Sequence, residues 1–247
     1  MQTAWLRGTA SALEPGVYET LRWHDGPPPA LAHHAARWQR GRAALGLPDL
    51  GLTELLAEAQ PLLTPGELWR VRLTAWQTGA VELAWRPLTA DERTPRPWSL
   101  RVVGRVAEPP AHLRACKTTA LNAAHRWRTH AGTLGADEAL LRGPDGQWAE
   151  ATTANLLCGL ADGRIVTPGP ESAALPGTTL ARVRTLLPVE DARLDEARLP
   201  RVRWALLTNA IALLRPVAAI DGVALRPPPP EILGLAQQLR GVAMLSR

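Results

Sequence analysis

Lys117 is the single lysine of this chain, and the other 27 of its 28 basic residues are arginines. Arginine keeps its charge at any accessible pH, whereas a desolvated lysine amine can lose its proton and attack a carbonyl to form a Schiff base. The alternative is a surface lysine left over in a composition biased toward arginine. Lys117 is therefore a candidate nucleophile, and its neighbours have to support that role.

Two downstream residues have side chains that could serve such a nucleophile. Glu150 lies in a predicted strand whose other members are small or apolar, and Asn155 begins the next strand. A carboxylate in that position either faces solvent or serves a buried cation. Both interpretations of Glu150 are compatible with the sequence.

Two later segments could bind an anion. The sequence Gly177-Thr178-Thr179 enters a predicted helix, where backbone N–H groups, the helix dipole and hydroxyls favour negative charge. An ordinary helix cap has the same composition. The turn Thr208-Asn209-Ala210 closes an apolar strand and could present backbone N–H groups to the same anion.

Composition limits the possible partners. The formal net charge is +5, but the arginines are spread along the chain among 23 acidic residues, so we expect a small anionic substrate and no nucleic acid. Two cysteines form no disulfide framework, and the six histidines show no metal-ligand spacing, so no metal is predicted. There is no signal peptide and no apolar run near the ~20 residues of a membrane span, so we expect a cytoplasmic protein that does not associate with a membrane.

Hydrophobic periodicity and turn residues predict a mixture of strands and helices without regular βαβ alternation, which is typical of the α+β class. The predicted strands cover residues 16–23, 69–76, 80–86, 100–106, 138–142, 148–152, 155–160, 164–166, 204–208 and 217–220. The predicted helices cover residues 30–45, 52–59, 119–131, 178–187, 194–200 and 231–244.

The best candidate for a linker is Glu108-Pro109-Pro110. It predicts an N-terminal α+β domain over residues 1–107 and a C-terminal α+β domain over residues 108–247. Lys117 then lies just past the linker, and clefts between domains are favoured places for ligand sites.

The order and spacing of these segments resemble the class IV pyridoxal-phosphate enzymes, which include aminodeoxychorismate lyases and branched-chain and D-amino-acid aminotransferases. Each motif alone is weakly specific, and the resemblance rests on the ordered set over about residues 14–225. Its parts are Gly16–Arg22, His34-x-x-Arg37, Lys117, Asp137–Leu141, Glu150-x4-Asn155, Thr167-Pro168, Leu175-Pro176-Gly177, Thr208-Asn209-Ala210, Pro216-Val217 and Asp221-Gly222.

The resemblance implies roles for the singled-out residues. Lys117 would hold pyridoxal 5′-phosphate as a Schiff base and then move the substrate Cα proton. Glu150 would pair with the pyridinium nitrogen and keep it protonated. Tyr18 would lie on the substrate side of the site, unless it is a core aromatic. The phosphate would be bound by Arg37, Thr178, Thr179, Asn209 and Ala210.

The family also implies a fold and an assembly. The expected fold is the two-domain fold-type IV arrangement of D-amino-acid aminotransferases, with the cofactor in the interdomain cleft and usually a homodimer. The chain departs from the family in a short N-terminus and in Leu180, which replaces an arginine after the Leu-Pro-Gly segment. These departures concern substrate handling and dimer contacts.

Two reactions remain open after the Cα proton is removed. Return of a proton to the cofactor carbon gives amino transfer, and β-elimination gives a lyase reaction. The Asn209-Ala210 turn and the short chain favour the lyase, which would cleave 4-amino-4-deoxychorismate to 4-aminobenzoate and pyruvate on the path to folate. The alternative is an aminotransferase for branched-chain or D-amino acids with a 2-oxo acid acceptor.

Arg70, Arg72 and Arg101 are candidates to bind the carboxylates of such a substrate, but their spacing fixes none of them, and a surface or structural role is the alternative for each. A homologue that keeps the fold without catalysis is a further alternative. The intact Lys117, Glu150 and Arg37 argue against it.

Overall fold

The computed structural model describes residues 1–10, 15–106, 113, 115–119 and 124–240. The chain forms two compact units. The first comprises Met1–Arg93 and Pro109–Asn122, and the second comprises Thr94–Glu108 and Ala123–Arg247.

The first unit is built on a four-stranded antiparallel sheet. Its strands are β1 (Gln2–Arg7), β2 (Gly16–Trp23), β3 (Trp69–Trp76) and β4 (Val81–Pro87), in the order β1-β4-β3-β2. Side chains alternate between the two faces of a strand, so one face of β2 is buried while the other, with Tyr18 and Arg22, is half-buried.

Helices cover the buried face of this sheet. They are α1 (Leu31–Ala44) and α2 (Leu52–Ala59), while a short helix α3 (Ala90–Arg93) follows β4. Fully buried residues of α1, α2 and the strands β2, β3 and β4 form one apolar core: Leu21, Trp38, Leu55, Leu56, Leu73 and Leu83. Trp38 is almost fully buried in this core, which fits a chain that has ten Trp and no Phe.

The second unit contains a nine-stranded sheet. Its strands are β5 (Trp98–Arg105), β6 (Glu138–Arg142), β7 (Trp148–Ala151), β8 (Ala154–Leu160), β9 (Ile165–Pro168), β10 (Val189–Ala192), β11 (Val202–Asn209), β12 (Leu213–Ile220) and β13 (Val223–Ala224). The pairings run β8-β11-β12-β5-β6-β7 and return from β7 to β8, so these six strands close into a ring. A closed ring has no unpaired edge within it.

The ring is packed on both faces. Its inward-facing residues, among them Leu140, Leu156 and Leu207, form one apolar core. Helices pack on the outer face of the ring. The helices α5 (Thr178–Leu186) and α6 (Pro230–Leu239) share one apolar cluster with strand residues, and α4 (Ala124–Thr133) contributes to a second apolar cluster. The sheets and helices confirm the predicted α+β class.

The units differ from the predicted division at residue 107, which lies outside the described residues. Strand β5 belongs to the second unit because it pairs in parallel with β12 and β6. Lys117 belongs to the first unit because its segment pairs with β2. The chain therefore enters the second unit, returns to the first and enters the second again.

Some elements also differ from the sequence prediction. Strand β1 and the short elements α3, β10 and β13 were not predicted, and residues 196–201 form a 3-10 helix that contains Pro200. The helix predicted over residues 119–131 is described from Ala124, and residues 120–123 lie outside the described part. Helix α6 ends at Leu239, and the last residues predicted as helical lie beyond the described chain.

Candidate active site

The segment that carries Lys117 is fixed against the start of β2. The backbone N–H of Tyr18 donates to the carbonyl of Lys117 at 2.9 Å, and Thr118 forms an isolated bridge with Val17. The N–H of Gly16 donates to the Thr119 hydroxyl at 2.9 Å. The lysine main chain is thereby held at the sheet edge that β2 would otherwise leave unpaired.

The Lys117 side chain is half-buried and lies against Tyr18. Its Nζ is 4.7 Å from the centre of the Tyr18 ring, a cation–π contact. Among the residues that the structure describes, no carboxylate lies within 4 Å of Nζ. The amine is therefore not tied up in an ion pair with them.

Arg72, on β3, stacks on the same tyrosine. Its guanidinium carbon is 3.9 Å from the Tyr18 ring centre, and no described carboxylate lies within 4 Å of it. The two neighbouring arginines differ, because Glu92 accepts hydrogen bonds from Arg70 at 3.4 Å and from Arg86 at 2.6 Å. Burial raises the pKa of Glu92, but the hydrogen bonds from Arg86 and the Thr89 N–H, together with the charges of Arg86 and Arg70, outweigh it and lower the pKa to about 2.

Arg101 also has an ion-pair partner. It lies in the second unit, 3.7 Å from Asp221 and partly exposed. Of the three arginines considered for a substrate carboxylate, Arg72 alone is without a carboxylate partner among the described residues.

Arg37 belongs to a buried charge cluster in the first unit. Its Nε and Nη2 donate to the two oxygens of Glu19, each at 2.7 Å, and His34 Nδ1 is also 2.7 Å from Glu19 Oε2. Burial raises the pKa of Glu19, but the charge and hydrogen bonds of Arg37 and then of His34 prevail and lower it to about 2. The fork of Arg37 is therefore held in one plane by a charged carboxylate.

Glu150 and Asn155 face each other across a hairpin in the second unit. Asn155 Nδ2 donates to Glu150 Oε2 at 3.2 Å and to the carbonyl of Leu175 at 2.8 Å. The Leu175 N–H donates to Glu150 Oε2 at 3.1 Å. Glu150 is half-buried within this network, so the interpretation of a merely solvated carboxylate does not describe it.

The start of α5 packs closely on Asn155. A methyl group on Gly177 would overlap Asn155 Oδ1, so a larger residue directly before the helix would have to displace the Asn155 side chain. Thr178 and Thr179 open the helix and are both buried. Their backbone N–H groups lie in the first turn, where a helix has no internal acceptors for them.

The Asn209 side chain forms hydrogen bonds within its own turn, which the sequence did not predict. Asn209 Oδ1 accepts the N–H groups of Ile211 at 3.0 Å and Ala212 at 2.8 Å, and Nδ2 donates to Thr153 O at 3.3 Å. Two N–H groups of this turn are thus already bound to the asparagine side chain. The predicted phosphate contacts of Asn209 and Ala210 stay predictions.

The structure thus brings together the residues predicted in each unit. Lys117 and Tyr18 are in contact in the first unit, and Glu150 lies beside Asn155 and the segment before α5 in the second. Sequence reasoning missed Glu19 and Glu138, which are buried carboxylates. Glu19 could have been found from the sequence, because the alternation of β2 places this carboxylate on the buried side of the strand.

The described residues contain no cluster of three or more His, Cys, Asp or Glu side chains able to hold a metal ion. Within the same part of the chain, no helix has both the length and the apolar character needed to cross a membrane.

Solved structures share this fold over nearly the whole chain. A branched-chain aminotransferase from Thermoproteus uzoniensis with norvaline matches with a TM-score of 0.82 and 20% identity, covering 93% of this chain and 86% of that one. An aminotransferase from Brucella abortus bound to PLP matches at 0.81 and 21%, covering 96% of both chains. A putative 4-amino-4-deoxychorismate lyase from Legionella pneumophila subsp. pneumophila matches at 0.80 and 22%, covering 93% of this chain and 92% of that one.

At these identities the likeness establishes the fold, which is that of the fold-type IV enzymes, as predicted. The family model described as Amino-transferase class IV matches residues 16–220. The chain therefore belongs to the class IV aminotransferase family, and the predictions of this family and of a pyridoxal-phosphate-dependent enzyme are confirmed. A comparison with curated proteins gave no match.

Proposed function

We propose that the protein is a 4-amino-4-deoxychorismate lyase, which releases 4-aminobenzoate and pyruvate and would serve folate synthesis. The observation that carries the proposal is the group formed by Lys117, Tyr18 and Arg72. It sets the Lys117 amine and an arginine without a described carboxylate partner against one aromatic ring. The substrate is a dicarboxylate, and the positive charge of this group suits it.

The residues of the chain fit the cofactor. Pyridoxal phosphate, when bound, supplies an aldehyde and an electron-withdrawing ring that makes the substrate Cα–H acidic. Lys117 would bind the aldehyde carbon and later carry the Cα proton. Glu150 would accept the hydrogen bond of the protonated ring nitrogen, while its Asn155 and Leu175 partners keep the carboxylate in place.

The phosphate would be bound by Arg37 and by the N–H groups and hydroxyls of Thr178 and Thr179, as the resemblance implies. Glu19 holds the Arg37 guanidinium in a fixed plane through Nε and Nη2, so a phosphate would bind at the other edge of the group, formed by Nη1 and Nη2. Asn209 and Ala210 would supply the second turn near the phosphate, and Tyr18 would bound the substrate side.

The first experiment tests the cofactor site. The purified protein with pyridoxal phosphate should be yellow, and borohydride should attach the cofactor covalently to Lys117, as peptide mass shows. Lys117→Arg should lose the band and the attached mass while its circular dichroism stays native. A band retained in Lys117→Arg would contradict the proposal, because the chain has no second lysine.

The second experiment tests the reaction. With aminodeoxychorismate and no amino acceptor, a lyase forms pyruvate and 4-aminobenzoate in equal amounts. If turnover instead requires a 2-oxo acid and yields an amino acid, the lyase assignment is wrong.

The second candidate is a class IV aminotransferase. The family description favours it, and Arg72 would equally suit the distal carboxylate of 2-oxoglutarate or glutamate. The turn sequence Asn209-Ala210 favours the lyase, since aminotransferases of the family more often have Gly-Thr or Ser-Thr there. We further expect a homodimer in the cytoplasm, which sedimentation and fractionation would test.

A further inference from the structure

Glu138 is a fully buried carboxylate that the proposed function does not use. It opens β6 and shares its side of the strand with Leu140, whose side chain belongs to the inner core of the ring. Burying a carboxylate is costly unless hydrogen bonds compensate it, so the partners of Glu138 indicate its purpose.

Two of those partners are consecutive hydroxyls. Thr152 Oγ1 donates to Glu138 Oε1 at 2.6 Å, and Thr153 Oγ1 donates to Oε2 at 3.2 Å. The remaining contacts are the Ala139 N–H at 2.9 Å and Arg128 Nε, which is 3.7 Å away. One carboxylate therefore binds both residues of the turn between β7 and β8.

This turn is short of the features that stabilise a two-residue hairpin loop. The favoured loops need positive φ values and use Gly, Asn or Asp, whereas other turn types splay the strands. The loop here is Thr152-Thr153, and neither residue has a positive φ. The two hydrogen bonds to Glu138 therefore stabilise a turn whose sequence does not favour it.

The same turn determines the position of Glu150. Ala151 pairs with Ala154 next to the turn, and the following pair is Glu150 with Asn155. We propose that Glu138 is a positioning residue: it fixes the Thr152-Thr153 turn and through it the Glu150 carboxylate. This inference rests on the proposed binding of the pyridinium nitrogen by Glu150.

The test measures the cofactor site rather than turnover. Glu138→Gln keeps the size of the side chain but removes its charge and one acceptor. We expect about tenfold weaker binding of pyridoxal phosphate to the full chain, measured by absorbance titration, which corresponds to the loss of one hydrogen bond to a charged group. The pH midpoint of the bound cofactor's absorbance should also shift, since a displaced Glu150 no longer holds the ring nitrogen protonated equally well.

Two threonine variants test the same link without touching the buried charge. Thr152→Val removes the 2.6 Å hydrogen bond and should weaken cofactor binding in the same direction, whereas Thr152→Ser keeps a hydroxyl and should restore it. This pair decides the matter if Glu138→Gln fails to fold. Weakened binding in Thr152→Val that Thr152→Ser does not restore would overturn the inference.

A double variant tests whether Glu138 acts through Glu150, and a second carboxylate serves as the control. If Glu138 acts through Glu150, the double variant Glu138→Gln/Glu150→Gln should bind little more weakly than Glu150→Gln alone. Glu196→Gln is the control. Glu196 accepts a hydrogen bond from Trp148 Nε1 at 3.0 Å, and Trp148 lies on β7 but outside the turn, so this variant also removes a carboxylate that binds β7. Its affinity and pH midpoint should match the wild type.

The outcomes separate the two claims. Unchanged affinity and pH midpoint in both Glu138→Gln and Thr152→Val would overturn the positioning role and leave the proposed function intact. A wild-type protein that forms no absorbance band with pyridoxal phosphate would overturn both.

Discussion

Lys117 and Arg72 both contact the ring of Tyr18, so two cationic side chains share one aromatic neighbour. Lys117 could be predicted as a nucleophile because its type is unique in the chain and its chemistry is closed to arginine. Arg72 could not be separated from Arg70, because both are arginines on the same face of one strand. Only the structure shows that Glu92 neutralises Arg70 and that Arg72 stacks on Tyr18.

Arg72, which has no carboxylate partner among the described residues, leads to a prediction about substrate affinity. Arg72→Gln should raise the KM for the dicarboxylate substrate by about ten- to a hundredfold, the effect of losing a hydrogen bond to a charged group. The matched control is Arg70→Gln, where Glu92 keeps Arg86 as its partner and the KM should change little. Steady-state kinetics would measure both, and equal effects in the two variants would contradict a specific role for Arg72.

Elements were predictable where burial sets a clear pattern. Strand β2 alternates buried and half-buried residues and was predicted with its observed bounds, Gly16–Trp23. Strand β1 was missed because most of its side chains are exposed and give no alternation of hydrophobicity. The closed ring was not predictable either, because the pairing of β5 with β12 joins strands that are far apart in sequence.

The junction before α5 allows a test at the level of one element. Gly177→Ala should lower the free energy of unfolding by about 1–3 kcal/mol, because the added methyl group overlaps Asn155 Oδ1. It should also weaken cofactor binding, since Asn155 holds Glu150. Urea denaturation and absorbance titration measure the two effects.

The control for this substitution is a helical glycine with open space around it. Gly234, inside α6, has nothing within 4 Å of the position of an added methyl group. Gly234→Ala should therefore stabilise the protein by up to about 1 kcal/mol. A loss of stability in Gly234→Ala equal to that in Gly177→Ala would show that the contact with Asn155 is not the cause.

The whole molecule should respond to acid through Glu19. Its pKa is about 2 in the folded protein and 4.5 in its ordinary state, so its contribution to stability is present above pH 4.5. As the pH falls from about 4.5 to about 2, that contribution disappears, and the shift corresponds to roughly 3 kcal/mol.

Comparison with Glu19→Gln isolates this contribution. The free energies of unfolding of the wild type and the variant should differ most near pH 7 and converge toward pH 2. Urea titrations at several pH values, with circular dichroism as the signal, would measure the difference. A difference that stays constant with pH would mean that the charge of Glu19 does not stabilise the fold.

Lys117 also gives the chain a single point of attack for an endopeptidase that cuts only after lysine. The bond to be cut begins at the Lys117 carbonyl, which accepts the Tyr18 N–H in the folded protein. Cleavage therefore requires this segment to leave the edge of β2, and the rate at which the fragments 1–117 and 118–247 form reports that local opening. The rate of cleavage after Lys117 thus measures how often the Lys117 segment separates from the edge of β2 in the folded protein.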